Sequence, residues 1–324
     1  MIILSVPVRR LLLAGALLVS AGVGAQQKYP QKPIRLITPF AAGSSTSTLT
    51  YLVGKKLENK VGQNVIVDPR PGGNTIIGTN AVAKSPPDGY TLILVTSSFV
   101  IVPLLNSAPY DVVKDFSPIG TIASTEFVLV LHPSLPVKNL KEFIALAKAK
   151  PGQLNYSTSG SGTFTHLASE MFSGLARIKM QHIPYNGSGP AVTELIGGQV
   201  QASLQAPVIV IPQIKGGKLK PIAISGETRL PNLPELPTFT QAGLPGFDAK
   251  LWFGVLVPAG TAKAIFDKLA ADFTSIMMEP AFRQELVGQG LDSFVTSPDQ
   301  FAALIKSDTS RFSNIIKAGN IKAD

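Results

Sequence analysis

Four short stretches of this chain carry residue types suited to holding a ligand. The first, Phe40-Ala41-Ala42-Gly43-Ser44-Ser45-Thr46-Ser47, follows the apolar run "IRLITPF" and precedes a helix-like pattern. The second, Thr96-Ser97-Ser98, follows "TLILV" and is continued by Phe99. The third runs "TSGSGTFTH" from Thr158 to His166 and holds Ser159, Gly160, Thr163, Phe164, Thr165 and His166. The fourth, Tyr185-Asn186-Gly187-Ser188-Gly189, follows "QHIP". Glycine lets a ligand come close to the backbone, and each hydroxyl donates or accepts. The first N–H groups of a helix have no internal partner and carry partial positive charge. The chemistry is capture of a small anion, best a carboxylate. Charge-assisted hydrogen bonds contribute ~1.5–3 kcal/mol each. Two carboxylates with about two such bonds apiece reach the ~8 kcal/mol of a micromolar complex after association costs. Each loop taken singly is also what an ordinary N-cap looks like. Four of them, each after a strand, point to one shared anion site, since open α/β sheets bind ligands beyond the carboxyl ends of their strands.

Bond-making chemistry has little support. The chain has no lysine-bearing phosphate loop, dinucleotide glycine fingerprint, His-Glu-x-x-His pattern or Gly-x-Ser-x-Gly elbow. Its three histidines, His132, His166 and His182, lack metal-ligand spacing, and there is no cysteine. No metal, no cofactor and no enzymatic activity are expected. A hydrolase pairing His166 with a nearby serine is the alternative from another class.

The elements that must position these loops alternate. "IRLITPF" reads as a strand, and Leu49, Leu52, Val53 and Leu57 fall on one face of the helix after it. "NVIVDP", "YTLILV", "FVLVL", "LNYS", "MQHIP" and "VQASLQ" read as further strands, with helices over "TIIGTNAVAKS", "LKEFIALAKAK", "THLASEMFSGLA" and "GPAVTELIGG". This order predicts an α/β fold with parallel sheets covered on both faces. The Gly/Pro-rich passage Gly226–Gly246 interrupts it before the strand "KLWFGVLVP" and two closing helices. Two lobes are expected, one discontinuous: 26–126 with 253–324, and 127–252.

Residues 1–25 are set apart from that plan. Arg9 and Arg10 precede an apolar run ending in small residues, with Val23 and Ala25 at the −3 and −1 positions of a cleavable signal peptide. The Arg-Arg pair leaves the general and twin-arginine export routes both open. About 300 residues follow, enough for two domains at ~150 each. No later run is apolar enough to span a bilayer, so the mature chain is expected in the periplasm without membrane insertion. Absence of cysteine excludes disulfides and a lipid-bearing thiol. The net charge is +9, but the basic residues are dispersed without interleaved aromatics, so nucleic acid is not an expected partner.

Longer blocks carry a resemblance. "YPQKPIRLITPFAAG", "GQNVIVDPRPGGNTIIG", "VAKSPPDGYTLIL", "YDVVKDFSPIG", "HIPYNGSGPAVTELIGGQV", "QAGLPGF" and "VPAGT" resemble the Bug receptors, the periplasmic solute-binding components of tripartite tricarboxylate transporters. The resemblance runs from about Tyr29 to the C-terminus. It implies a two-lobed Venus-flytrap of the type II periplasmic binding class, monomeric, that clasps a small carboxylate and delivers it to the membrane permease subunits. It also implies that one ligand carboxylate is held by Phe40 to Thr46 with Thr96 to Ser98. The second lobe would contribute Ser159, Gly160, Thr163, Thr165 and His166, with Tyr185, Asn186 and Gly187 nearby. Two positions depart from the family pattern. An aspartate usual in the first loop is Ser47 here, and Gln205 stands where an aspartate is common downstream of "GGQVQ". If those acids face a ligand ammonium, their loss argues against amino-acid ligands; if the first is a helix cap, Ser47 replaces it. Phe99 and Phe164 are expected to wall the cleft, which favours a dicarboxylate with an apolar or aromatic middle, such as terephthalate. A sensory receptor that binds carboxylate without transport is the other alternative.

Overall fold

The computed structural model describes residues 29–322, so the signal peptide expected over 1–25 lies outside the described residues. The chain begins β1 (Ile34–Thr38), α1 (Ser45–Val61), β2 (Val65–Pro69), α2 (Ile76–Ala83), β3 (Thr91–Thr96), α3 (Ser98–Leu105) and β4 (Phe116–Thr125). It continues β5 (Val128–Leu131), α4 (Leu140–Ala149), β6 (Asn155–Thr158), α5 (Phe164–Ala176), β7 (Gln181–Pro184), α6 (Ser188–Ile196), β8 (Ala202–Gln205), α7 (Pro207–Lys215) and β9 (Lys220–Ile224). It closes with β10 (Leu251–Pro258), α8 (Lys263–Met278), α9 (Pro280–Gly288), β11 (Asp292–Ser293) and α10 (Pro298–Gly319).

The strands form two sheets, ordered β11-β4-β10-β3-β1-β2 and β7-β6-β8-β5-β9. The chain passes between them twice, from Thr125 to Val128 and from Ile224 to Leu251. The expected second boundary, after Trp252, falls within the first two residues of β10. Each sheet is mixed, which corrects the expectation of purely parallel ones. β1 runs parallel to β2 and β3, and β6 to β7 and β8. β10 is antiparallel to β3 and β4, and β5 to β8 and β9. The reversals belong to the strands that flank the crossings: a chain returning directly from the other sheet enters without a helical crossover.

Local sequence explains most elements. Helix α1 starts at Ser44, whose hydroxyl accepts the Ser47 N–H at 3.0 Å, and stops at Gly62 in the left-handed conformation (φ 70). Ser44 is therefore the cap, and Ser47 does not replace a capping acid. Helix α10 has a full capping box, Ser297 with Gln300. It buries Phe301, Ile305, Phe312 and Ile316 on one face. The strands that carry the loops are fully apolar where buried: Leu92 to Val95 of β3 and all of β5 are inside. Each Leu, Ile or Val so buried contributes ~1.5–3 kcal/mol relative to an exposed one. Among the described residues no helix is long and apolar enough to cross a membrane.

Candidate functional site

All four hydroxyl-bearing loops lie at carboxyl ends of parallel strands, two in each sheet: after β1 and β3, and after β6 and β7. Between the sheets they line one small, narrow cavity. Its walls are Phe40, Ser44, Ser45, Thr46, Thr96 and Ser98 from one side, and Ser159, Phe164, Thr165 and Ser188 from the other, with Phe127 and Leu251 from the two crossings. Nine of the residues singled out by sequence thus meet at one cavity. Among the described residues no charged side chain lines it.

The donors are backbone amides and hydroxyls. At the start of α1 only Ser47 has its N–H capped. Among the described residues no acceptor pairs with the N–H groups of Ser45, Thr46 or Thr165, the first turns of α1 and α5. Such amides cost free energy when buried unless an acceptor arrives, and a carboxylate is the natural one. Facing them, three hydroxyls form a ring. Thr165 Oγ1 lies 2.8 Å from Ser159 Oγ and 3.0 Å from Thr163 Oγ1, and accepts the Ser159 N–H at 2.9 Å. Thr163 Oγ1 also donates to the Gly160 carbonyl at 2.7 Å, which holds that glycine in its φ 139 conformation.

The two walls touch. Ser98 Oγ accepts the N–H of Phe164 across the cleft at 3.0 Å. A Cβ added at Gly189 would lie 3.1 Å from the carbonyl of Ala42, and one at Gly187 would lie 3.6 Å from Ala41 Cβ. Gly162 packs against Asn106 so closely that an added Cβ would sit 2.5 Å from Nδ2. The glycines therefore serve close approach between lobes.

The remaining expected site residues sit around this centre. Ala41 and the exposed Gly43 (φ 79) form the rim opposite Gly187 and Gly189. Asn186 lines a small neighbouring void with Asn74, Thr75 and Ser159. Tyr185 is half-buried, and its N–H donates to the Thr158 carbonyl at 3.1 Å. Ser97 is fully buried, and its hydroxyl, like those of Thr38 and Thr75, has no partner among the described residues. Gln205 ends β8 and is fully buried. Its Nε2 donates to Ser203 Oγ at 2.8 Å, and Ser203 in turn donates to the Ser157 carbonyl at 2.7 Å. That donor order assigns the amide, leaving Gln205 Oε1 as a buried acceptor without a protein partner.

Two aromatic expectations divide. Phe164 is a wall, joined by Phe40 and Phe127. Phe99 is a correction: its ring stacks on Tyr110 at 6.3 Å and meets Phe116 edge-on at 5.1 Å, inside the first-lobe core. It reaches only a small void beneath Phe40. Being the second residue of α3, it turns inward with the helix. His166 supports the wall from behind. Its Nδ1 accepts the Gly162 N–H at 3.0 Å, which puts the ring proton on Nε2, and its ring stacks on His182 at 4.0 Å. His182 Nε2 pairs with Thr158 Oγ1 at 2.6 Å. Among the described residues no cluster of His, Asp or Glu could hold a metal.

Phe127 and Leu251 were not expected in the site, while Ser188 belongs to the fourth loop though it was not among the residues assigned to the ligand. Phe127 and Leu251 flank the crossings, where the chain must run beside the cleft; that position was the available signal.

The model of the tripartite tricarboxylate transporter family receptor matches residues 50–321. Protein BugT of Bordetella pertussis is 33% identical over 320 residues, covering 97% of this chain and 98% of BugT. The structure of Rpa4515 of R. palustris with adipate superposes with a TM-score of 0.88 at 29% identity, covering 91% of this chain and 99% of that one. The structure of MatC from Rhodopseudomonas palustris with bound malate gives 0.84 at 27% identity, covering 89% and 100%.

Proposed function

Since this chain belongs to the tripartite tricarboxylate transporter receptor family, we propose that it is a periplasmic receptor that captures a dicarboxylate with an apolar middle and hands it to a membrane permease. The observation that carries the reading is the cavity itself. Helix-start amides and hydroxyls stand on both sides of it, Phe40, Phe127, Phe164 and Leu251 lie between, and no side-chain charge is present.

One carboxylate would dock on Ser45 and Thr46 with Thr96 and Ser98. The second would be met by Ser159, Thr165 and Ser188 as the lobes close. The lobes assigned to this motion are 26–126 with 253–324, and 127–252. Closure is favoured only by as much as the ligand binds the closed form better. The adipate bound to Rpa4515 has four methylenes between its acids, in keeping with aromatic and aliphatic walls. Malate, bound to MatC, sets the small hydroxylated limit. Terephthalate is the aromatic member of the proposed class. Among the described residues no carboxylate stands in the cavity lining to pair with a ligand ammonium.

A thermal-shift and calorimetric panel tests this: adipate, terephthalate, malate, citrate, aspartate and glutamate. Stabilisation by adipate or terephthalate above malate and citrate is the expected order. Stabilisation by the amino acids alone would overturn the assignment.

A further inference from the structure

Three segments meet where the chain passes between its sheets: Thr125–Phe127 after β4, Ser225–Gly226 after β9, and Ala249–Lys250 before β10. Ser225 ties them together. Its N–H donates to the Phe127 carbonyl at 2.9 Å, and its Oγ accepts the Phe127 N–H at 2.9 Å. The same Oγ lies 2.7 Å from the Ala249 carbonyl oxygen and 3.1 Å from Glu126 Oε2.

A hydroxyl has one proton to give, and a carbonyl can only accept. The shorter contact takes that proton, so Ser225 donates to Ala249. The contact between Ser225 Oγ and Glu126 Oε2 then needs a proton from the carboxyl side. A neutral Glu126 supplies it, and an unbroken relay runs Glu126 O–H to Ser225 O–H to the Ala249 carbonyl, across all three segments. An ionised Glu126 leaves either its own oxygen or the Ala249 carbonyl without a donor.

The surroundings favour the neutral form. The Glu126 side chain is only 17% exposed. It packs on Gly226, where an added Cβ would lie 3.0 Å from the carboxyl carbon. The charged groups that face it are Asp248 and Lys250 on the returning segment and Asp292 of β11. Lys250, half exposed, is 4.0 Å away and opposes the effect. Burial is the largest influence and raises the acid's pKa; Asp248 and Asp292 raise it further, Lys250 lowers it, and a Ser225 proton turned to the carboxylate instead of to Ala249 would lower it as well.

We propose that Glu126 is a proton-operated latch of the hinge, protonated when the lobes close and released to water as an ordinary carboxylate when they open. Ligand capture therefore takes up a proton. This rests on the closure reading above. The sign follows from linkage: closure binds a proton at pH between the open-form and closed-form pKa of Glu126. Affinity is full below the open-form value and falls as pH rises to the closed-form one.

A ligand-free test separates this from the choice of ligand. The chain has no cysteine. Ala41→Cys with Gly187→Cys places two Cβ atoms about 3.6 Å apart across the closed cleft, within disulfide range. The Glu126 carboxyl carbon, assigned by its absence in Glu126→Gln, is titrated by NMR in the oxidised (locked) and reduced forms. The expected midpoint is higher by one pH unit or more in the locked form. Equal midpoints would overturn the latch. With a diacid that binds, wild-type affinity falls about tenfold per unit of that separation, and Glu126→Gln removes the dependence. A pH dependence that persists in Glu126→Gln also counts against it.

Discussion

The closed contact between α6 and the first loop offers a substitution that separates closure from folding. Gly189 is the second residue of α6 and does not adopt positive φ, so alanine fits its backbone. In an isolated second lobe Gly189→Ala would be neutral or favourable, since alanine exceeds glycine in helices by up to ~1 kcal/mol. In the closed form the new methyl meets first-lobe backbone only: 3.1 Å from the Ala42 oxygen, and 3.3 Å and 3.4 Å from the carbonyl carbon and oxygen of Gly43. None of these can rotate away, so the lobes must part by a few tenths of an ångström. Overpacking of this kind costs ~1–3 kcal/mol. At ~1.4 kcal/mol per tenfold, that is roughly 5- to 150-fold in the closure equilibrium, read as ligand affinity. Calorimetry with the tightest-binding diacid measures it, and thermal unfolding of the ligand-free protein guards against misfolding. Gly174→Ala is the control, because its added Cβ meets nothing within 4 Å although it too lies in a helix, α5. The expected result is weakened binding for Gly189→Ala at unchanged or raised Tm, with wild-type affinity for Gly174→Ala. Equal affinity in the two variants would refute the reasoning.

Ser98→Ala removes the acceptor of the Phe164 N–H and leaves that amide unpaired in the closed form only. An affinity loss of about 1–3 kcal/mol is expected by calorimetry, with ligand-free Tm little changed. Thr165→Val keeps the shape of the wall but strips the acceptor of Ser159 N–H and the centre of the hydroxyl ring. Binding should weaken at least tenfold while circular dichroism remains that of the wild type. Because no charged side chain lines the cavity, the dissociation constant should change less than about threefold between 50 and 500 mM salt. A steeper loss in titration calorimetry would indicate lysine or arginine at the ligand. Trp252→Phe removes the indole N–H donated to buried Asp308 at 2.7 Å. About 2 kcal/mol of stability should go with it in denaturant unfolding.

The repeating strand, hydroxyl loop and helix were legible because each step is local. An apolar run, a glycine turn and a 3.6-residue stripe lie within about twenty-five residues, as from Ile34 to Leu57. Helix α3 was not, because "SFVIVPLL" is rich in β-branched residues and carries Pro103. Helix α7 hid for the same reason behind Pro207 and Pro212. Strand β4 includes Pro118 and Gly120 and pairs with β10 through register irregularities, which masks its alternation. The direction of β10 depends on how the long passage from Ile224 re-enters the first sheet, which no local pattern encodes. The site shows the same division. Ser44, Thr46, Ser159 and Thr165 were readable from their place between strand and helix. Phe127 and Leu251 come from the crossings, so their presence depends on the closed arrangement of both lobes. Phe99 was misplaced because adjacency to a binding loop says nothing about which way the first turn of a helix points a side chain.

The most direct test of the account is a crystal structure of the protein with the tightest-binding diacid of the panel. The expected result places one carboxylate within ~3.2 Å of the Ser45 and Thr46 amides and the other beside Ser159 and Thr165. A diacid held instead by lysine or arginine side chains, or bound away from the space between the two sheets, would contradict it.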